Sequence, residues 1–65
     1  MLTEPLTAAE RRILKLLPTS TYQQIAATLF ISRSTVKTHL RSLYQKLGAS
    51  SRSEAIQRAV DLRLL

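Results

Sequence analysis

The stretch from Ser32 to Leu47 constrains the fold of this chain more than any other. Four apolar residues in it are separated by four, three and four positions: Val36, Leu40, Leu43 and Leu47. This spacing places them on one face of a helix with 3.6 residues per turn. Ser32 suits the N-cap, and Gly48, the only glycine of the chain, suits a left-handed C-cap. The sequence therefore predicts a helix that ends near Leu47 and buries one face in a core.

A second face of the same helix carries small polar and cationic side chains. Its members are Ser34, Lys37, Thr38 and Arg41, and helical geometry rotates it by about 100° from the apolar face. Arginine and lysine read guanine in the DNA major groove, where short polar groups also fit closely. We therefore interpret this segment as a recognition helix, although solvated surface charges would give the same pattern.

Three further helices are predicted around this one. Possible capping boxes pair Thr7 with Glu10, Thr21 with Gln24, and Ser51 with Glu54. Pro18 should end the first helix, and Phe30 with Ile31 should fill the core at the turn after the second. No strand pattern is present in the sequence, so we predict an all-α fold of four helices. The second and third are only a few residues apart, which is the helix-turn-helix arrangement.

The charge distribution favours an anionic partner. The chain carries a formal net charge of +6, from ten Lys and Arg against four Asp and Glu. The four acids are Glu4, Glu10, Glu54 and Asp61. Residues 11–53 therefore contain no acid, yet hold eight of the ten bases. A basic middle of this kind favours nucleic acid as the partner, and a solvated basic surface is the alternative.

Several classes of function are disfavoured by the composition. The chain has no cysteine, and its single histidine, His39, has no second metal ligand at a useful spacing. We expect no metal, no cofactor and no enzymatic activity, because no nucleophile–base pair or glycine-rich phosphate loop is present. No apolar run approaches the roughly 20 residues that cross a bilayer. The start lacks signal-peptide features, so we expect a cytoplasmic protein.

Particular motifs carry a resemblance to a known family. They are the Leu6-Thr7 pair with Glu10, Ile25-Ala26, Ser34-Thr35-Val36-Lys37-Thr38-His39, Tyr44-Gln45-Lys46-Leu47-Gly48, and Ser51-Arg52 with Glu54-Ala55. On these residues the chain resembles the LuxR-type (GerE-type) helix-turn-helix DNA-binding domain of bacterial transcription regulators. The resemblance covers residues 6–65, with residues 1–5 as an N-terminal tail or linker remnant. The Leu-Pro-Thr-Ser-Thr link and the LFISRSTVKTH run are similar to the branch of large ATP-binding LuxR regulators.

The resemblance implies a role for individual positions. It implies base contacts by Lys37, Thr38 and Arg41 of helix 3, and Ser34 on the same face is a further candidate for a base contact. It implies phosphate contacts at the start of helix 2, by Thr21 and Tyr22. Further candidates for phosphate contacts are Thr35, His39, Lys46 and Arg52, with helix capping as the alternative for Thr35 and packing for His39. The resemblance also implies a homodimer on double-stranded DNA that pairs through helix 4, where Ala55, Ala59 and Leu62 belong either to the dimer seam or to the core. RNA polymerase is a further candidate partner.

Two other functions remain open at this point. A sigma-factor-like region would share the helical arrangement, but the KLGASSRSEA segment argues against it. A protein-interaction module could use the apolar strip of helix 4 and bind DNA through charge alone. A specificity ratio near one between operator and random DNA would favour that module.

Overall fold

The third helix lies at the centre of the fold. A computed structural model describes residues 4–65 and contains four helices: α1 (Ala8–Leu16), α2 (Tyr22–Leu29), α3 (Arg33–Leu47) and α4 (Arg52–Asp61). No strand is present within residues 4–65, and the predicted all-α class is confirmed. α3 packs against each of the other three helices. The predicted tail, residues 1–5, lies partly outside the described residues.

The core is built on the apolar face of α3. All four residues predicted for this face, Val36, Leu40, Leu43 and Leu47, are at most 3% exposed. Full burial of one such side chain stabilises the fold by about 1.5–3 kcal/mol. The other elements surround this face with Leu6, Ile13, Leu14, Leu17, Ile25, Ala26, Ala55 and Ala59.

Side-chain caps fix where the helices begin. The boxes at Thr7 and Thr21 are complete, with reciprocal side-chain bonds to backbone amides. The box predicted at Ser51 is only half formed. Ser51 Oγ accepts from the amide of Glu54 at 3.1 Å, but the Glu54 carboxylate accepts from the amide of Ser50 at 3.1 Å. The Glu54 carboxylate therefore accepts from the backbone amide one residue before the N-cap, rather than from the amide of the N-cap residue itself.

Left-handed residues end α2 and α3. Gly48 closes α3 with φ 68°, as predicted, but Phe30 closes α2 with φ 57° and is 94% exposed. The prediction that Phe30 fills the core is wrong. The left-handed residue reverses the chain, so the amide of Ile31 donates to the carbonyl of Ala26 at 3.0 Å and Ile31 packs against the core instead.

Candidate nucleic-acid interface

The polar face of α3 is free of the core. Ser34, Lys37, Thr38 and Arg41 are all exposed, as their rotation from the apolar face predicts. Thr38 Oγ1 donates to the carbonyl of Ser34 at 3.0 Å, so the lone pairs of its hydroxyl oxygen remain available to accept hydrogen bonds. Within residues 4–65, neither Lys37 nor Arg41 takes part in an ion pair. The helix thus offers two cations and small polar groups to an external partner.

A shallow groove runs beside this face, between α2 and α3. It has a volume of about 350 Å³ and is lined by Tyr22, Lys37, Leu40, Arg41 and Tyr44. The hydroxyl oxygens of the two tyrosines are 3.3 Å apart. Tyr44 was not predicted as a site residue. The available signal was its spacing, because Lys37, Arg41 and Tyr44 follow at i, i+4 and i+7.

The helix N-termini that border the groove are capped by the chain itself. Thr21 is exposed and its Oγ1 accepts from the amide of Gln24 at 3.1 Å. Thr35 Oγ1 lies 2.8 Å from Ser32 Oγ, which also accepts from the Thr35 amide at 3.1 Å. The structure therefore gives Thr21 and Thr35 capping contacts. His39, another predicted phosphate contact, is half-buried on α3.

Lys46 makes two contacts within the protein. Its Nζ lies 2.7 Å from Glu10 Oε1 and 3.1 Å from the carbonyl oxygen of Pro5, and its side chain is 12% exposed. Two of the three N–H donors of the Lys46 ammonium group are thus used within the protein, and its contact to a phosphate stays a prediction. Because Lys46 lies on α3 and Glu10 lies on α1, this ion pair links the two helices.

Glu10 is the buried partner, with a side chain only 2% exposed. Burial raises the pKa of its carboxyl group, but hydrogen bonds from Lys46, the Thr7 amide and Ser42, with the charge of Lys46, outweigh it and lower the pKa to about 2. Glu10 was predicted only as the capping partner of Thr7. Its place at i in the buried row Ile13, Leu14 and Leu17 was the signal for burial.

Arg52 also has a structural contact. One nitrogen of its guanidinium donates to the carbonyl of Leu17, and to the carbonyl of Ser20 at 3.2 Å. These bonds connect the start of α4 to the link between α1 and α2. The residue remains exposed, and a guanidinium has five N–H donors, so other donors of Arg52 are left for a partner.

The predicted seam on α4 is largely inside the domain. Ala55 and Ala59 are fully buried in the core, which removes their side chains from any contact with a second copy. Small residues lie there because α4 packs closely against α3. Leu62 is half-buried, whereas Val60 and Leu65 are 49% and 41% exposed. An apolar contact from this part of the chain must therefore use the exposed side chains.

Residues 4–65 contain no cluster of three or more His, Cys, Asp or Glu arranged to hold a metal ion. In the same range, no helix is long and apolar enough to span a membrane.

A match to a protein-family model assigns the chain to a family. The model of the bacterial regulatory proteins of the luxR family (GerE) matches residues 4–59. The chain belongs to the luxR family. The LuxR-type assignment made from the STVKTH and KLG motifs is thereby confirmed, as is the four-helix LuxR-type fold.

One relative of the LuxR-type chain is far longer than the chain itself. The HTH-type transcriptional regulator MalT of Serratia proteamaculans (strain 568) is 46% identical over 61 residues, which span 92% of this chain and 7% of the relative. The chain thus corresponds to a small part of that regulator. This agrees with the predicted similarity to the branch of large LuxR regulators.

Solved structures share the LuxR-type fold. The response regulator ChrA of a heme-sensing two-component system is 44% identical with a TM-score of 0.91, over 100% of this chain and 33% of that one. The transcription factor GerE is 39% identical with a TM-score of 0.81, over 92% and 91%. VqmA of Vibrio cholera, in a complex with ligand and DNA, is 35% identical with a TM-score of 0.87, over 98% and 28%. The chain is accordingly a LuxR-type helix-turn-helix domain of the kind found in DNA-binding transcription regulators.

Proposed function

We propose that this domain binds double-stranded DNA sequence-specifically and that α3 enters the major groove. The observation that carries the proposal is the exposed row on α3, in which Lys37 and Arg41 have no acidic partner among the described residues. Ser34 and Thr38 complete the row of proposed base contacts. One good bidentate contact discriminates between bases by about 1–3 kcal/mol.

The proposed backbone contacts surround this row. Thr21 and Tyr22 lie at the start of α2, and Thr35 lies in the first turn of α3. His39 lies on α3, and Arg52 is the first residue of α4. Backbone amides at helix N-termini favour anions irrespective of the capping side chains. Lys46 belongs to the same proposed set, because its contacts to Glu10 and Pro5 use two of its three ammonium donors.

The domain is proposed to act as the output domain of a larger cytoplasmic regulator and to bind DNA as a homodimer. Val60 and Leu65 are the exposed apolar residues available for pairing near α4, with Leu62 at their edge. Two copies on one side of the duplex would read half-sites about 10–10.5 base pairs apart. RNA polymerase remains a candidate partner of the full regulator.

Selection of bound sequences from a random duplex library tests the proposal. The selection is made at about 150 mM salt, where non-specific binding is weakened, and is followed by competition against random duplex. An enriched sequence with a specificity ratio of at least about 10³ is expected. A ratio near one would instead support an interaction module that binds DNA through charge alone.

Variants of single cations locate the binding face. Lys37→Met and Arg41→Met should each reduce the specificity ratio about tenfold or more. Arg58→Met is the matched control, because it removes one exposed cation from α4. Equal losses in all three variants would contradict reading by α3.

A further inference from the structure

Two tyrosine side chains meet at the wall of the groove. Tyr22 is the first residue of α2, and Tyr44 lies in the last turns of α3. Their hydroxyl oxygens are 3.3 Å apart although the residues are 22 positions apart in sequence. Both side chains are half-buried, both line the groove, and the contact between their hydroxyl groups is only partly buried.

The pair has a spare hydrogen-bond donor. Two hydroxyl groups carry two hydrogen atoms, and the bond between the oxygens uses one of them. Whichever tyrosine donates to the other, the second hydrogen is available to an outside acceptor. A hydroxyl that already accepts a hydrogen bond is polarised and becomes a stronger donor. The two tyrosines together therefore make a better donor than either does alone.

The surroundings favour an anionic acceptor. Lys37 and Arg41 line the same groove, and no acidic residue lines it. Burial, and then the hydrogen bond with Tyr22, raise the pKa of Tyr44 well above its usual value, against the opposing charge of Arg52. The hydroxyl consequently keeps its proton at neutral pH. A protonated donor beside cations fits the oxygen of a phosphodiester.

We propose that Tyr22 and Tyr44 act as one hydrogen-bond donor to a DNA backbone phosphate at the mouth of this groove. Tyr22, at the start of α2, donates to the phosphate, and Tyr44 is the positioning residue that donates to Tyr22 and directs its hydrogen outward. The inference rests on the proposed function, since it needs α3 to face DNA. It assigns a role in DNA binding to Tyr44, which would otherwise have only a packing role.

A double-mutant cycle tests the pair. The dissociation constant for a selected duplex is measured for wild type, Tyr22→Phe, Tyr44→Phe and the double variant, each of which keeps its aromatic rings. Thr28→Val is the control, because it removes an exposed hydroxyl from another face of α2. Each tyrosine variant should bind about tenfold more weakly. The double variant should bind about as weakly as the weaker single variant, since the pair supplies one donor.

Salt dependence distinguishes two causes of weaker binding in the tyrosine variants: loss of the hydrogen bond to the phosphate, and displacement of a neighbouring cation from DNA. The slope of log affinity against log salt should be unchanged in both tyrosine variants, because neither variant removes a charge. Unchanged affinity in Tyr44→Phe, or losses that multiply in the double variant, would overturn the inference. A reduced slope in a tyrosine variant would overturn it too. Absence of DNA binding by the wild type would instead contradict the proposed function itself.

Discussion

Lys37 and Lys46 lie on the same helix and have different environments. Lys37 is exposed and has no ion-pair partner within residues 4–65, whereas Lys46 is 12% exposed and lies 2.7 Å from the buried carboxylate of Glu10. Nine residues separate them, which is two and a half helical turns, so the two side chains leave α3 on opposite sides. One side faces α1 and the other faces solvent.

The difference shows that residue type and helix do not decide the role of a cation in this domain. Both lysines belong to the stretch 11–53, which contains no acid, so local sequence gives both the same surroundings. The fold brings Glu10 to Lys46 from 36 positions away. A lysine that the fold pairs with an acid stabilises the domain, and one that it leaves unpaired is available for a polyanion.

The largest effect is expected from breaking the buried pair. Lys46→Met leaves the carboxylate of Glu10 buried without its counter-charge, which should lower the free energy of unfolding by about 3–5 kcal/mol. Native domains have only about 5–15 kcal/mol in total, so this variant should be largely unfolded at moderate temperature. Urea titration followed by circular dichroism measures the change.

The double variant Glu10→Gln with Lys46→Met controls for general disruption. Glutamine is neutral and keeps the acceptor of the capping box with Thr7, so no buried charge remains. Most of the lost stability should return. If the double variant is as unstable as Lys46→Met, the loss comes from packing and not from the unpaired charge.

Acid should act on the same pair with a slightly smaller effect. The pKa of Glu10 is lowered from 4.5 to about 2 in the folded state, so its contribution is complete above pH 4.5 and is lost as the pH falls towards 2. The difference corresponds to on the order of 3 kcal/mol. In thermal melts, the stability of the wild type should therefore fall between pH 5 and pH 2. The stability of Glu10→Gln should fall less over the same range, because this variant has no carboxyl group at position 10. Parallel curves for the two proteins would contradict the assignment.

A cation that is paired but exposed should have a much smaller effect on stability. Arg58 lies 3.7 Å from Glu54 on the surface of α4, where solvent screens the attraction. Arg58→Met should lower the free energy of unfolding by no more than about 0.5 kcal/mol. A loss comparable with that of Lys46→Met would show that pairing, rather than burial, decides the contribution.

The smallest effect on stability is expected at Lys37. Lys37→Met should change the free energy of unfolding by less than about 0.5 kcal/mol, since its side chain has no ion-pair partner in the described part of the chain. The same variant should weaken binding to the selected duplex and reduce the specificity ratio about tenfold, because Lys37 is a proposed base contact. Filter-binding titrations with selected and random duplex measure the ratio, and an unchanged ratio would remove Lys37 from the proposed base contacts.

The local parts of this structure could be predicted from the sequence. Periodicity identified the buried face of α3, and the caps at Thr7, Thr21 and Gly48 followed from residue preferences at helix ends. These features depend on residues a few positions apart. The exposed row from Ser34 to Arg41 followed from the same periodicity.

The features that were missed depend on the tertiary fold. The pairing of Glu10 with Lys46 joins residues 36 positions apart, and the burial of Ala59 depends on how α4 crosses α3. Phe30 was placed in the core because it is apolar, but the turn needs a left-handed residue at that position. Exposure there follows from backbone geometry, which hydrophobicity does not report.

Chemical-shift mapping tests the central claim most directly. A selected duplex is titrated into ¹⁵N-labelled domain, and the amide shifts are followed residue by residue. The exposed face of α3 from Ser34 to Arg41 and the start of α2 should show the largest changes, and smaller changes are expected near Val60 and Leu65, where two copies would pair on DNA. Large changes confined to α4, with the exposed face of α3 unmoved, would contradict the account.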